Sequence, residues 1–283
     1  MISNIITGLI IGASYVLIAS GLTLIFGILD VINLAHGEVY MLGAFVALLV
    51  VTSLGINFWW ALLVSVIIVA IFGVFLEKIF FKPLRNKPHV NMLLVSIAVG
   101  ILMQNLAMLI WGAEPVLLKT PYADQTISLL GTNVTVQRVI VIVVGTILMI
   151  ALNQFIKKSK MGKAMRATAQ DRDAAALMGI NIDKVFSITF AIGSGLAAAA
   201  GTLIAPIFLV FPTMGATAFL KAFTVVIVGG LGNVIGAIYA GLLLGLVESL
   251  GAVYISSQYK DSFAFIILIL VLLFKPSGLM GKE

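Results

Sequence analysis

A short polar run, Asp30-Val31-Ile32-Asn33-Leu34-Ala35-His36-Gly37-Glu38, interrupts an otherwise uncharged stretch and constrains the fold more than any other feature. The 29 residues before it carry no charged side chain, and neither do the 38 residues from Val39 to Leu76. Hydrocarbon offers no hydrogen bonds, so such a break persists at membrane depth only against other protein or beside a water-filled cavity. Ionisable groups held there mark functional sites by default. The run points to the binding or passage of something polar.

The whole composition agrees with a membrane setting. Hydrophobic residues make up 61% of the chain and charged residues 10%, with a mean hydropathy of +1.20. Soluble domains carry about 25% charged residues. The sequence reads as an all-α, polytopic transmembrane helical bundle, a single domain over residues 1–283 with no linker. The absence of cysteine excludes disulfides, a thiol nucleophile and thiolate metal sites. The first span lacks a basic leading region and reads as a retained anchor rather than a signal peptide.

The net charge of +6 reflects topology rather than nucleic-acid binding. Of 17 Lys and Arg, 13 fall in three segments: Lys78 to Lys87, Lys157 to Lys184, and Lys275 with Lys282. Positive charge is retained on the cytoplasmic side, so these segments face the cytosol, and the Gly112 to Gln137 loop faces outward. Spans then follow at Ile5–Leu29, Val39–Val51, Phe58–Leu76, Val90–Trp111 and Val139–Ile156. Val185–Phe211, kinked at Pro206, Thr217–Gly230, Val234–Tyr254 and Ser262–Phe274 complete nine crossings, or eight if the short Thr217 piece and its neighbour act as one interrupted element. A crossing takes about 20 residues, so the second span is short or borrows from the polar run. Leu24–Leu29 loosely matches Val226–Leu231, and paired Gly-interrupted segments point to a transporter's central site. The match admits either an internal duplication or the recurrence expected among Gly-rich membrane helices.

The basic segment from about residue 157 to 184 is long for a connection. Asp171 or Asp173 can cap a short helix, Ala174 to Met178 favour helix, and Gly179 can end it. A helix lying on headgroups is one reading of this segment; a docking helix for a cytoplasmic partner is the other. No engine is visible elsewhere, because the phosphate-binding pattern GxxxxGK[ST], a HExxH zinc site and a GxSxG elbow are all missing. No catalytic residue and no metal site is expected.

The polar candidates along a translocation pathway are Asp30, Asn33, His36 and Glu38, then Gly229, Gly232 and Asn233, and finally Glu248. Each has a plainer alternative. Asp30 and Glu38 can cap helices, Asn33 can form a turn, His36 can make a structural hydrogen bond rather than sense pH, and Glu248 can be a buried structural acid. Gln104 and Asn105 are expected to join helices, and Lys221 is expected to snorkel.

The sequence resembles the permease subunits of high-affinity branched-chain amino acid ABC importers, the LivH kind. The resemblance rests on Gly21–Gly27 running into Asp30–Glu38 and Tyr40–Ala44, on Arg166-Ala167 and Asp171 with Ala175–Ile180, on Gly229–Asn233 with Gly236-Ala237 and Glu248, and on Leu273–Leu279. It implies an inner-membrane, multi-pass subunit of a bacterial importer, itself without catalytic activity, working by alternating access. Its implied partners are a homologous second permease, two cytoplasmic ATPase subunits that bind ATP and Mg, an extracytoplasmic substrate-binding protein, and membrane lipid. No cofactor is implied for this chain. The Arg166 to Ile180 segment, including Asp171, Asp173, Ala175, Leu177 and Gly179, is implied to couple to an ATPase. Related permeases are associated with urea, short amides or other amino acids. Without the resemblance, an ion-coupled secondary transporter using Asp30, Glu38 or Glu248, or a passive channel for a neutral solute, also fits the residues.

Overall fold

Each long apolar stretch forms a helix, and the polar interruptions set where helices start and stop. The structure, a computed structural model, describes residues 2–129 and 132–281. Within them lie α1 (Ile2–Leu29), α2 (His36–Thr52), α3 (Phe58–Leu76), α4 (His89–Trp111), α5 (Pro121–Asp124) and α6 (Val136–Lys158). Then follow α7 (Lys160–Gln170), α8 (Arg172–Leu177), α9 (Ile182–Ile204), α10 (Met214–Gly229), α11 (Val234–Tyr254) and α12 (Lys260–Phe274). Six helices, α1, α3, α4, α6, α9 and α11, are long and apolar enough to cross a membrane. The apolar helices α2 and α10 are shorter.

Small residues bring the central helices close, as expected where lipid offers no competing hydrophobic drive and packing decides association. α1 and α11 run antiparallel along facing glycines. Gly8 lies against Leu246, Gly12 against Gly241 and Leu242, and Gly27 against Gly232. α9 presents fully buried Ala197, Ala198 and Ala200 to the interior. Ser65 and Thr202 both donate to the Gly43 carbonyl, tying α3, α9 and α2 together at 2.8 and 3.2 Å. α3, α4 and α6 sit at the periphery and turn apolar side chains such as Ile71, Leu109 and Ile147 outward.

Several boundaries differ from the sequence expectations. α9 stops at Ile204 instead of running kinked to Phe211. Pro206 has no N–H to give the Thr202 carbonyl, and its ring crowds that turn. The chain leaves the helix, and Val210 pairs with Val116 in an antiparallel bridge. The expected outward loop carries a strand pair, β1 (Thr126–Leu129) with β2 (Thr132–Thr135). α3 is prolonged by a π-helical turn at Glu77–Phe81 and a tight turn at Lys82–Leu84. The segment after α6 forms two helices, α7 and α8, where one short helix is expected from the residues.

Candidate functional site

The polar run does not simply join α1 to α2; it carries the chain back into the bundle. Asp30 ends α1 in the left-handed conformation, φ 55°, which Asp tolerates better than most residues. Its N–H bonds the Phe26 carbonyl at 2.8 Å, and its side chain is exposed. Asn33 is buried and forms a turn, its Oδ1 accepting from Ala35 N–H at 3.1 Å. Leu34 N–H donates to Ser96 Oγ on α4 at 3.2 Å. α2 then begins deep in the bundle: His36 Nε2 meets the Ile18 carbonyl at 3.2 Å, about three helical turns back along α1 from Leu29.

Two helix starts meet here. Gly37 in the first turn of α2 touches Gly215 in the first turn of α10 so closely that neither has room for a Cβ. Glu38, only 4% exposed, lies over Gly215. Helix N-termini carry partial positive charge, so the carboxylate faces two favourable ends at once. Gln104 Nε2 on α4 donates to its Oε1 at 2.7 Å, while Oε2 has no hydrogen-bond partner among the described residues. The stripe Ser96, Gly100, Gln104 on α4 therefore runs alongside Leu34 to Glu38. Asn105, by contrast, turns outward and bonds its own helix at the Ile101 carbonyl. The arrangement sets a buried carboxyl group where the starts of α2 and α10 meet, with Gln104 bonded to one of its oxygens.

The remaining pathway candidates lie elsewhere. Gly229, Gly232 and Asn233 form the turn between α10 and α11, where Asn233 Oδ1 caps α11 by accepting from Gly236 N–H at 3.0 Å. The C-terminal segment docks onto this turn. Leu279 and Met280 N–H groups donate to the Val228 and Gly229 carbonyls, and Asn233 Nδ2 donates to the Met280 carbonyl at 2.7 Å. Glu248 is buried on α11 and ion-paired with Lys221 of α10, and Tyr15 Oη donates to it at 2.8 Å. The expectation that Lys221 snorkels is therefore wrong: it is buried, because Glu248 and Asp261 lie within reach, the latter at 3.0 Å.

The segment from 157 to 184 is locally well specified. Ser159 caps α7 through Gly162 N–H, and exposed Arg166 donates to the Ile156 carbonyl. Asp171 caps α8, its Oδ1 accepting from the N–H groups of Asp173 and Ala174, both at 2.9 Å. Gly179, at φ 81°, closes α8 with paired bonds from Gly179 N–H to Ala176 O and Ile180 N–H to Ala175 O. This is the left-handed terminus that glycine favours. Ala175 is buried, whereas Leu177 is 89% and Met178 83% exposed. The end of a capped helix thus leaves two large apolar side chains uncovered.

A further ionic group was not expected from the sequence. The π-helical turn buries Glu77, which pairs with Arg85 and accepts from Ser187 Oγ of α9 at 2.8 Å. Arg85 also pairs with Asp183, which Lys82 meets at 2.6 Å. The Arg85 guanidinium lies 4.3 Å from the Phe186 ring centre, and that of Arg172 from α8 lies 5.3 Å from it. The available signal was a single acid at the edge of a basic segment, directly after the apolar run ending at Leu76.

Comparison with known proteins adds to this geometry. The family described as "Branched-chain amino acid transport system / permease component" matches residues 4–272. The high-affinity branched-chain amino acid transport system permease protein LivH of Salmonella typhimurium is 37% identical over 294 residues, covering 99% of this chain and 96% of that protein. The permease protein BraD of Pseudomonas aeruginosa is 36% identical with the same coverage. A chain of the solved structure "PsaBC from Streptococcus pneumoniae in complex with Fab" matches with a TM-score of 0.53, over 98% of this chain and 97% of that one, at 11% identity. At that identity the likeness is one of fold.

Proposed function

Because the chain belongs to the family of branched-chain amino acid transport permease components, we propose that it is the membrane-spanning permease of an ATP-driven importer of leucine, isoleucine and valine in the bacterial inner membrane. The chain crosses nine times: α1, α3, α4, α6, α9, α11 and α12 each cross, and α2 and α10, which start inside the bundle, complete their crossings with the segments 30–35 and 205–213 that precede them. The N-terminus lies outside, and α7 and α8 lie in the cytosol with most of the basic residues, as retained positive charge requires. A homologous second permease completes the pathway. Two ATPase subunits hold ATP and Mg below, and a binding protein delivers the amino acid from above.

The observation that carries this reading is α8. Asp171 and Gly179 fix both its ends, and Leu177 and Met178 project from it exposed. Ordering such a helix in water costs conformational entropy, and a groove on an ATPase subunit that covers the two side chains offsets that cost. Arg166, Asp173 and Ala175 support the same surface. Motion of α8 reaches the bundle through Arg172 on Phe186 and through Arg85, Glu77 and Asp183 at the feet of α3 and α9. The pathway then opens and closes around the start of α2, with Asn33, His36 and Glu38, and around the α10–α11 turn, with Gly229, Gly232 and Asn233. Asp30 stands at its cytoplasmic edge and Glu248 toward its outer end.

Reconstitution tests the proposal. Uptake of labelled leucine into vesicles should require the ATPase subunits, the binding protein and ATP. Leu177→Asp with Met178→Asp should release the ATPase subunits from an otherwise folded permease. Uptake driven by this chain alone under an ion gradient, or full ATPase retention by that variant, refutes it.

A further inference from the structure

An amino acid crosses a membrane as a zwitterion, so a path that carries one must accommodate a carboxylate and an ammonium together. The ion pair of Lys221 and Glu248 has that complement inside the helix bundle. Both side chains are buried, at 6% and 5% exposure, whereas the third partner, Asp261, is 57% exposed. The cluster therefore runs from an accessible acid on α12 to a buried pair between α10 and α11, with the Tyr15 hydroxyl of α1 closing its far side. Ser249 Oγ bonds the Asn4 carbonyl at 2.7 Å, which sets this level at the first turn of α1, far from α7 and α8.

Stability alone does not account for such a pair. Taking both charges out of water costs several kcal/mol per ion, and apolar replacement of a whole buried pair is often neutral or stabilising. What the pair does provide is exchangeability. Lys221 Nζ is already shared among Glu248, the Asp261 carboxylate and the Asp261 carbonyl at 3.5 Å. The Phe265 ring centre lies 5.8 Å from the same ammonium, where a π-face attracts a cation. A zwitterion entering past Asp261 can replace each internal contact with an equivalent one, so no charge is left buried without a partner.

On the importer reading above, we propose that Lys221, Glu248 and Asp261, with the Tyr15 hydroxyl, form the outer handover site for the substrate. The amino-acid carboxylate takes the place of Glu248 against Lys221, and the ammonium takes the place of Lys221 against Glu248 and Asp261. The site reads the charged end common to all α-amino acids and leaves the choice of side chain to the binding protein.

The decisive variant replaces the cluster's buried members together: Lys221→Met, Glu248→Leu and Tyr15→Phe, so that no buried polar atom of the set is orphaned. In the reconstituted complex this variant should assemble and melt at or above the wild-type temperature, yet lose leucine uptake about tenfold or more. A purely structural pair predicts unchanged uptake by the assembled variant, and wild-type uptake there overturns the proposal. Should the triple variant fail to assemble, Asp261→Asn decides: this exposed change should lower uptake several-fold, and unchanged uptake overturns the proposal. Absence of ATP-dependent uptake by the wild-type complex would instead defeat the importer reading itself.

Discussion

Replacing Gly21 by Ala tests the close three-helix junction on which the start of α2 depends. A Cβ at this position would lie 2.6 Å from the Gly193 carbonyl oxygen of α9 and 3.0 Å from His36 Nε2. The first neighbour is helix backbone, so α9 can yield only by moving away from α1. Overpacking of this kind costs about 1–3 kcal/mol. The second neighbour is the nitrogen that bonds the Ile18 carbonyl, and His36 Nδ1 has no partner among the described residues. Displacing the ring leaves a buried imidazole with neither nitrogen satisfied, at about 1–3 kcal/mol. Better helix propensity returns at most about 1 kcal/mol. The net expectation is a loss of about 1–5 kcal/mol, a large share of a typical folding free energy of about 5–15 kcal/mol.

At about 2–4 °C per kcal/mol, the protein in detergent should melt on the order of 10 °C lower. The matched control is Gly145→Ala on α6, where the nearest neighbour is the flexible end of Leu17 at 3.6 Å. That variant should melt at or slightly above wild type. A Gly21→Ala protein that melts with its control refutes the claim that α1, α9 and His36 are packed to backbone contact.

Other perturbations report on separate parts of the structure. Asp171→Ala removes the cap of α8, worth about 1 kcal/mol; amides of Ala174 to Leu177 should exchange about fivefold faster while the melting temperature holds, and unchanged exchange would discount the cap. Glu77→Leu strands the buried Arg85 charge with only the exposed Asp183, and about 3 kcal/mol should be lost. Adding Arg85→Met should restore most of that stability, and equal melting of the single variant and wild type would contradict the pairing. Truncation after Lys275 strips three hydrogen bonds from the α10–α11 turn, each worth about 1 kcal/mol. Protease sensitivity should then rise at Gly230 to Asn233, and an unaltered digestion pattern would show that the C-terminal segment does not hold the turn.

The helices and the end of the bundle that carries α7 and α8 were legible in the sequence, because both follow from local chemistry. Uncharged apolar runs must become helices in lipid, and the basic residues between Lys157 and Lys184 mark one connecting segment. Asp171, one of the two caps open in the sequence, and Gly179 mark the ends of α8, since capping and left-handed termini depend only on neighbouring residues. The resemblance carried by Asp30 to Glu38 and Gly229 to Asn233 was likewise local, and the family match agrees with it.

Pairing across the chain was not legible. Tyr15 and Glu248 stand 233 residues apart, Glu38 and Gln104 stand 66, and Glu77 and Ser187 stand 110. No local pattern states which helix faces will meet, so Lys221 read as a snorkelling surface residue until its partners were in place. The depth of the polar run is of the same kind. That it breaks a helix is written in its residues, but that it climbs back beside Ile18 and sets Gly37 against Gly215 depends on how α1, α2, α9 and α10 pack. Sequence determined which segments leave water and where the chain can turn, through burial and local hydrogen bonding. Only the tertiary structure decided which charges share a partner in the interior, because that choice is made by helices distant in sequence competing for the same buried space.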